Sequence, residues 1–71
     1  MSDLIVKEIK RLGLLAKEKI LLFTYFTLNV EKTAVVASYL NDLDDDDEKR
    51  IYLRSLIFLP GMFSQSMDNV A

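Results

Sequence analysis

A chain of 71 residues has room for one domain and one small core, because a domain of this size buries only about 60% of the surface that its unfolded chain exposes. The sequence has no cysteine and no histidine, which excludes disulfide bonds and argues against a zinc site. Hydrophobic residues make up 51% of the chain and the formal net charge is −2. We therefore expect an exposed apolar patch that a second copy or another protein covers.

No stretch has the length of a secretion signal or a membrane span. Charged residues 17–19 interrupt the first apolar run, and residues 20–28 are too few to cross a bilayer, which needs about 20. Together with the lack of cysteine, this predicts a cytoplasmic protein without membrane contact.

The first predicted helix covers residues 2–28, with Ser2 or Asp3 as its N-cap. At 100° per residue, six apolar side chains fall on one stripe about 80° wide, which predicts a buried face. They are Ile5, Ile9, Leu12, Ala16, Ile20 and Phe23. Gly13 weakens the middle, so a break near it is the alternative to one continuous helix.

Residues 20–28 are apolar on every side and include Phe23, Tyr25 and Phe26. We interpret these aromatics as core rather than as the lining of a ligand pocket. Asn29 can end this helix or cap the next one. The second helix, residues 30–43, has a broad face of large apolar side chains, which are Val35, Val36, Tyr39, Leu40 and Leu43.

The third predicted helix covers residues 45–59 and stops at Pro60-Gly61, because proline cannot continue the hydrogen-bond ladder. This helix is apolar around most of its circumference. The other two predicted helices of so small a chain cannot cover all of that apolar surface. We expect a tail, 62–71, that is partly flexible or packed on a partner. The candidate protein interface comprises Leu53, Ile57, Phe58, Met62 and Phe63.

An acidic run occupies residues 42–48, with six acids in seven positions. Asp42, Asp44 and Asp46 match the first three ligand positions of an EF-hand loop, but Asp47 stands where glycine is required and Leu53 where glutamate is required. We therefore predict no metal site, with weak binding of divalent ions by the acidic run as the alternative. Instead, Asp44 or Asp45 caps the third helix, and the acids after it meet the positive end of the helix dipole.

The run Leu40-Asn41-Asp42-Leu43-Asp44, followed by Asp47-Glu48, resembles the bend of the plasmid RNA-binding helical hairpin Rop. The small nucleoid-associated modulators of the Hha type have a similar helix start. Because the likeness is confined to this bend, we assign the chain to neither family.

Cations on one face of the first helix provide an alternative function. Lys7, Lys10, Arg11 and Lys17 are candidate phosphate contacts of a nucleic-acid-binding helical dimer. Catalysis is not expected, because the sequence offers no histidine, cysteine, Gly-rich phosphate loop or Gly-flanked serine nucleophile. We predict no catalytic residue, no cofactor and no small-molecule substrate.

The sequence thus predicts an all-α protein: a single domain over 1–71 with a bundle of about three helices, completed by homodimerisation. Its predicted function is that of a small bacterial or phage regulator or adaptor that acts through protein–protein contacts of an exposed apolar helical surface.

Overall fold

A computed structural model describes residues 2–58 of the chain as helices joined by short connections. They are α1 (Asp3–Arg11), α2 (Ala16–Leu28), α3 (Thr33–Asp42) and α4 (Asp46–Phe58), and a 3₁₀ turn (Val30–Lys32) leads directly into α3. No strand occurs in this part of the chain. The all-α prediction is confirmed, but residues 2–58 form four α-helices rather than about three.

The first predicted helix is broken at Gly13. This residue has φ 73°, a left-handed conformation that glycine adopts without steric cost. Just before it, the amide of Leu12 donates to the carbonyl of Glu8 at 3.0 Å and closes α1. At the other end, the Ser2 hydroxyl accepts from the Leu4 amide at 3.2 Å, so Ser2 is the N-cap.

The break at Gly13 changes which side of α2 is buried. Ile5, Ile9 and Leu12 lie in the core as predicted, but Ile20 is 65% exposed. Ala16 is also exposed and Phe23 is half-buried. The single stripe predicted across residues 5–23 is therefore wrong in α2, because a left-handed turn resets the phase of the helix that follows it.

Asn29 ends α2. Its backbone amide and its side-chain Nδ2 both donate to the carbonyl of Tyr25, each at 2.9 Å. Residues 30–42 then run at 101° to α2. The Thr33 hydroxyl, which is buried, donates to the carbonyl of Val30 at 2.7 Å and joins the 3₁₀ turn to α3.

The core is one cluster to which every helix contributes. Among residues 2–58, nine apolar residues are buried in it: Ile5, Ile9, Leu12, Leu14, Leu22, Phe26, Val36, Leu40 and Leu53. Within α3 only Val36 and Leu40 of the predicted broad face are buried, whereas Val35 and Tyr39 are exposed. The small bundle therefore covers one side of each helix and leaves large apolar side chains on the other.

No single helix within residues 2–58 has both the length and the apolar composition needed to cross a membrane. Helix α2 and the segment 30–42 meet the criterion only when taken together, and the 101° bend separates them.

Candidate protein-interaction surface

Helix α4 is held in place by ion pairs along its inner edge. At its start, Arg11 of α1 donates from both terminal nitrogens to the Asp46 carboxylate, at 2.9 and 3.0 Å. The same guanidinium contacts Glu8 at 2.6 Å, and Lys49 reaches Glu8 at 3.2 Å. The buried carboxylate of Glu8 is thus paired with two cations, Arg11 of α1 and Lys49 of α4.

A second group of contacts joins α4 to the connection between α1 and α2. The guanidinium of Arg50 donates to the carbonyl of Leu12 at 2.9 Å and also contacts Asp47. One turn later, Arg54 donates to the Glu18 carboxylate at 2.7 and 3.2 Å. Glu18 also accepts from the Leu15 amide at 2.9 Å, so one carboxylate caps α2 and binds α4.

The pKa values of these carboxyls reflect the pairing. Hydrogen bonds from Arg11 lower the pKa of Glu8, with a smaller effect from Lys49, although burial acts in the opposite direction. Arg54 lowers the pKa of Glu18, and Arg11 lowers that of Asp46. All three carboxyls are stabilised in their charged form, which fits a role in fastening helices together.

The charged residues of α4 are directed toward α1 and the start of α2, and an apolar strip lies on the outward side of the helix. Ile51, Ser55 and Phe58 lie opposite the buried Leu53 on the helical wheel, with Glu48 at the start of the strip. We call these four residues the α4 outer face. Ile51 is 65% exposed, and Phe58 is half exposed.

Two shallow apolar grooves flank Ile51. One is lined by Ile51, Arg54, Ser55 and Phe58. The other is lined by Leu43, Glu48, Ile51, Tyr52 and Ser55. The side of the second groove is reinforced by the rings of Tyr39 and Tyr52, which meet edge to face with centroids 5.8 Å apart. Burial beside these rings raises the pKa of Tyr52.

A second exposed apolar strip runs along α2. Helix α2 buries Glu18, Leu22 and Phe26, and its opposite side carries Lys17, Ile20, Leu21, Thr24, Thr27 and Leu28. We call these six residues the α2 outer face. Leu28 is 76% exposed. The sequence pattern gave no sign of this strip, because the apolar stripe of residues 5–23 placed Ile20 on the predicted buried face.

The predicted interface residues have different environments. Leu53 is 0% exposed and belongs to the core, so it is not accessible to a partner. Ile57 is half-buried and Phe58 is exposed. Met62 and Phe63 lie outside the described residues, as does the predicted tail. Ile51, absent from that prediction, is the most exposed apolar side chain of α4.

The four cations of the predicted basic face do not form one continuous surface in the structure. Lys7, Lys10 and Lys17 are exposed, but the guanidinium of Arg11 is neutralised by Glu8 and Asp46. Lys17 lies beyond the break at Gly13 and so belongs to a different helix from Lys7 and Lys10. These cations therefore do not form the continuous arc that one unbroken helix predicted.

The acidic run has two parts in the structure. Asp46, Asp47 and Glu48 form the first turn of α4, where they face the positive end of the helix dipole. Preceding them, the carbonyl of Asp45 accepts from the Lys49 amide at 3.1 Å. Within residues 2–58, no group of three or more His, Cys, Asp or Glu side chains is arranged to hold a metal ion.

The aromatic residues of α2 belong to the hydrophobic interior. Phe26 is buried, and Phe23 and Tyr25 pack against the core. The rings of Tyr25 and Phe26 meet edge to face with centroids 5.2 Å apart. The interpretation of this cluster as core rather than pocket lining is therefore supported.

Residues 2–58 thus form an all-α fold in which the α2 and α4 outer faces are exposed and largely apolar. No protein-family profile matches the chain, and neither curated proteins nor solved structures yield a significant match.

Proposed function

We propose that this chain is a small non-enzymatic regulatory or adaptor protein that acts in the cytoplasm through protein–protein contacts of its exposed apolar helical surface. The observation that carries the proposal is the number of large apolar side chains left exposed by so small a bundle. On α2, the 3₁₀ turn, α3 and α4 they include Ile20, Leu21, Leu28, Val30, Val35, Tyr39, Ile51 and Phe58.

The α4 outer face is the proposed site for another protein. Arg54 forms one wall of its groove and is held by Glu18, so this part of the surface is preorganised. Glu48 borders the second groove, and the exposed Asp44 and Asp45 lie just before α4. A helix with apolar anchors and nearby basic residues has the complementary chemistry.

Homodimerisation is part of the same proposal. A second copy would cover apolar surface that one chain leaves in water, and each buried CH₂ group contributes roughly 0.8 kcal/mol. The buried carboxylates support a structural rather than a catalytic role, since Glu8 and Glu18 are both bound by cations from other parts of the bundle.

Nucleic-acid binding is the second candidate function, with Lys7, Lys10, Arg11 and Lys17 as phosphate contacts. The engagement of Arg11 by two carboxylates weakens this candidate, because the charge is already balanced within the chain. It predicts binding to duplex DNA or RNA that weakens steeply with salt. Negligible binding at low salt would eliminate it.

The proposed function is tested by affinity capture from the native host, with wild-type protein and Ile51→Glu protein as paired baits. A partner retained by the wild-type bait and lost with Ile51→Glu supports the α4 outer face as its site. Ser38→Glu is the matched control, because Ser38 is an exposed residue of α3 outside the apolar strip. If light scattering shows a monomer that also binds no hydrophobic dye, the proposed function is wrong.

A further inference from the structure

We propose that the α2 outer face binds the same face of a second copy, with the two α2 helices antiparallel about a two-fold axis at Thr24. This inference rests on the proposed function, of which self-association is a part. It assigns the two apolar faces to different partners: the α2 outer face to a second copy and the α4 outer face to another protein.

The shape of the α2 outer face suits a helix partner. Its six residues span an arc of about 120° on the side opposite the buried Leu22. Its aliphatic side chains are at the two ends, with Ile20 and Leu21 toward the start of α2 and Leu28 at its last position. The smaller Thr24 lies between them, where it allows a second helix to approach.

The face is complementary to itself when the two helices run in opposite directions. With the axis at Thr24, Ile20 meets Leu28 of the partner subunit, so each end buries an aliphatic pair. Leu21 meets Thr27 of the partner subunit at the next position. A two-fold contact repeats each of these pairs, which doubles the apolar surface that is removed from water.

The charges agree with the same arrangement. Lys17 lies in the first turn of α2, and Glu31 lies in the 3₁₀ turn just after the end of α2. An antiparallel contact therefore places Lys17 at the same end of the pair as Glu31 of the partner subunit. Both side chains are exposed, and neither forms an ion pair in the part of the chain that is described. Within residues 2–58 each of these two opposite charges lacks a partner, and the proposed contact supplies one from the second copy.

The acid within α2 does not oppose this contact. Glu18 is 5% exposed and is turned inward to Arg54, so the α2 outer face itself presents a cation and no carboxylate. The acid that complements Lys17 comes from the 3₁₀ turn, just beyond α2. Repulsion between copies along the contact is thus absent, and attraction is located at its two ends.

The first test compares two isoleucines. Ile20 and Ile51 are both 65% exposed, but they lie on the α2 and α4 outer faces respectively. We expect sedimentation equilibrium to show a concentration-dependent dimer for wild-type protein over about 1–100 µM, as for a small interface. Ile20→Glu should be monomeric, whereas Ile51→Glu should still dimerise. Circular dichroism verifies that both variants are folded.

The opposite result overturns the inference. If Ile51→Glu is monomeric and Ile20→Glu dimerises, the second copy binds the α4 outer face, and the proposed function stands without this assignment. A wild-type monomer that binds hydrophobic dye also overturns the inference and removes homodimerisation from the proposed function, but it leaves the α4 outer face as the proposed site for another protein. A monomer that binds vesicles containing phosphatidylserine through α2 also overturns it, because the α2 outer face then meets lipid.

The second test concerns the register of the two helices. Lys17→Glu and Glu31→Lys should each weaken the dimer about five-fold, because each variant places like charges at both ends of the contact. The double variant Lys17→Glu/Glu31→Lys should restore wild-type dimerisation. Lys7→Glu, on α1, is the control and should have no effect. Failure of the double variant to recover rules out the antiparallel register.

Discussion

The guanidinium of Arg54 and the carboxylate of Glu18 meet through two hydrogen bonds, with Nε–Oε2 at 2.7 Å and Nη2–Oε1 at 3.2 Å. The paired fork geometry fixes the direction of both side chains. Because Glu18 also accepts from the Leu15 amide, the start of α2 is aligned with the middle of α4. The two outer faces are therefore presented by helices that are fastened to each other.

We predict that Arg54→Leu lowers the thermal midpoint more than Glu18→Gln does. Arg54→Leu leaves the carboxylate of Glu18 without its cation. In Glu18→Gln the side chain has no charge, and its amide oxygen can still accept a hydrogen bond from the Leu15 amide. Circular dichroism melting at pH 7 measures the difference. The double variant should melt above Arg54→Leu alone, because the two residues are coupled. Equal and additive losses would mean that the pair contributes no coupling.

Substitution of Gly13 distinguishes a broken helix from a continuous one. Gly13→Ala should lower the free energy of unfolding by about 1–2 kcal/mol, because alanine in the left-handed conformation is strained even though no residue beyond its two chain neighbours lies within 4 Å of the added Cβ. Gly13→Asn, which tolerates this conformation better, should cost less. Urea unfolding measures both. Stabilisation by alanine would indicate that α1 and α2 are one continuous helix.

Acid should destabilise the fold through the paired carboxyls. The pKa values of Glu8 and Glu18 are lowered from an ordinary 4.5, and that of Asp46 from 3.8. A lowered pKa in the folded state means that the stabilisation is present at pH values above the unfolded pKa and is lost as the pH falls through the folded pKa.

Above about pH 5.5 these carboxyls are ionised in both states, so their titration should not change the free energy of unfolding. Below about pH 4.5 the free energy of unfolding should decline. Urea unfolding at stepped pH measures this dependence. In Glu18→Gln the decline should be shallower, because one of the three groups no longer titrates. A decline with the wild-type slope in that variant would show that Glu18 has no part in it.

Replacement of single side chains of α4 by alanine should distinguish its buried residues from its exposed ones. Leu53→Ala should lower the free energy of unfolding by roughly 2–5 kcal/mol, because Leu53 is fully buried and its removal leaves a cavity. Ile51→Ala, on the opposite side, should change it by no more than about 0.5 kcal/mol. The comparison is made by urea unfolding at low concentration, where the protein is monomeric. Similar losses in both would contradict the orientation of α4.

Local sequence signals determined much of the secondary structure. Ser2 caps α1, Asn29 ends α2, and the acids of residues 46–48 form the first turn of α4, because capping and dipole effects depend on near neighbours in the sequence. The composition likewise indicated a bundle that leaves apolar side chains exposed. These properties require no knowledge of which helices pack together.

The sequence predicted the buried face of α1, but only the tertiary structure decided which face of α2 and of α4 is buried. Gly13 was recognised as a weak point, but the new phase of α2 depends on the turn that Gly13 adopts. Leu53 was assigned to an interface and lies in the core, because nearly every side of α4 is apolar and periodicity alone cannot select one. The long-range pairs of Arg11 with Asp46 and of Arg54 with Glu18 made that selection by directing the polar edge inward.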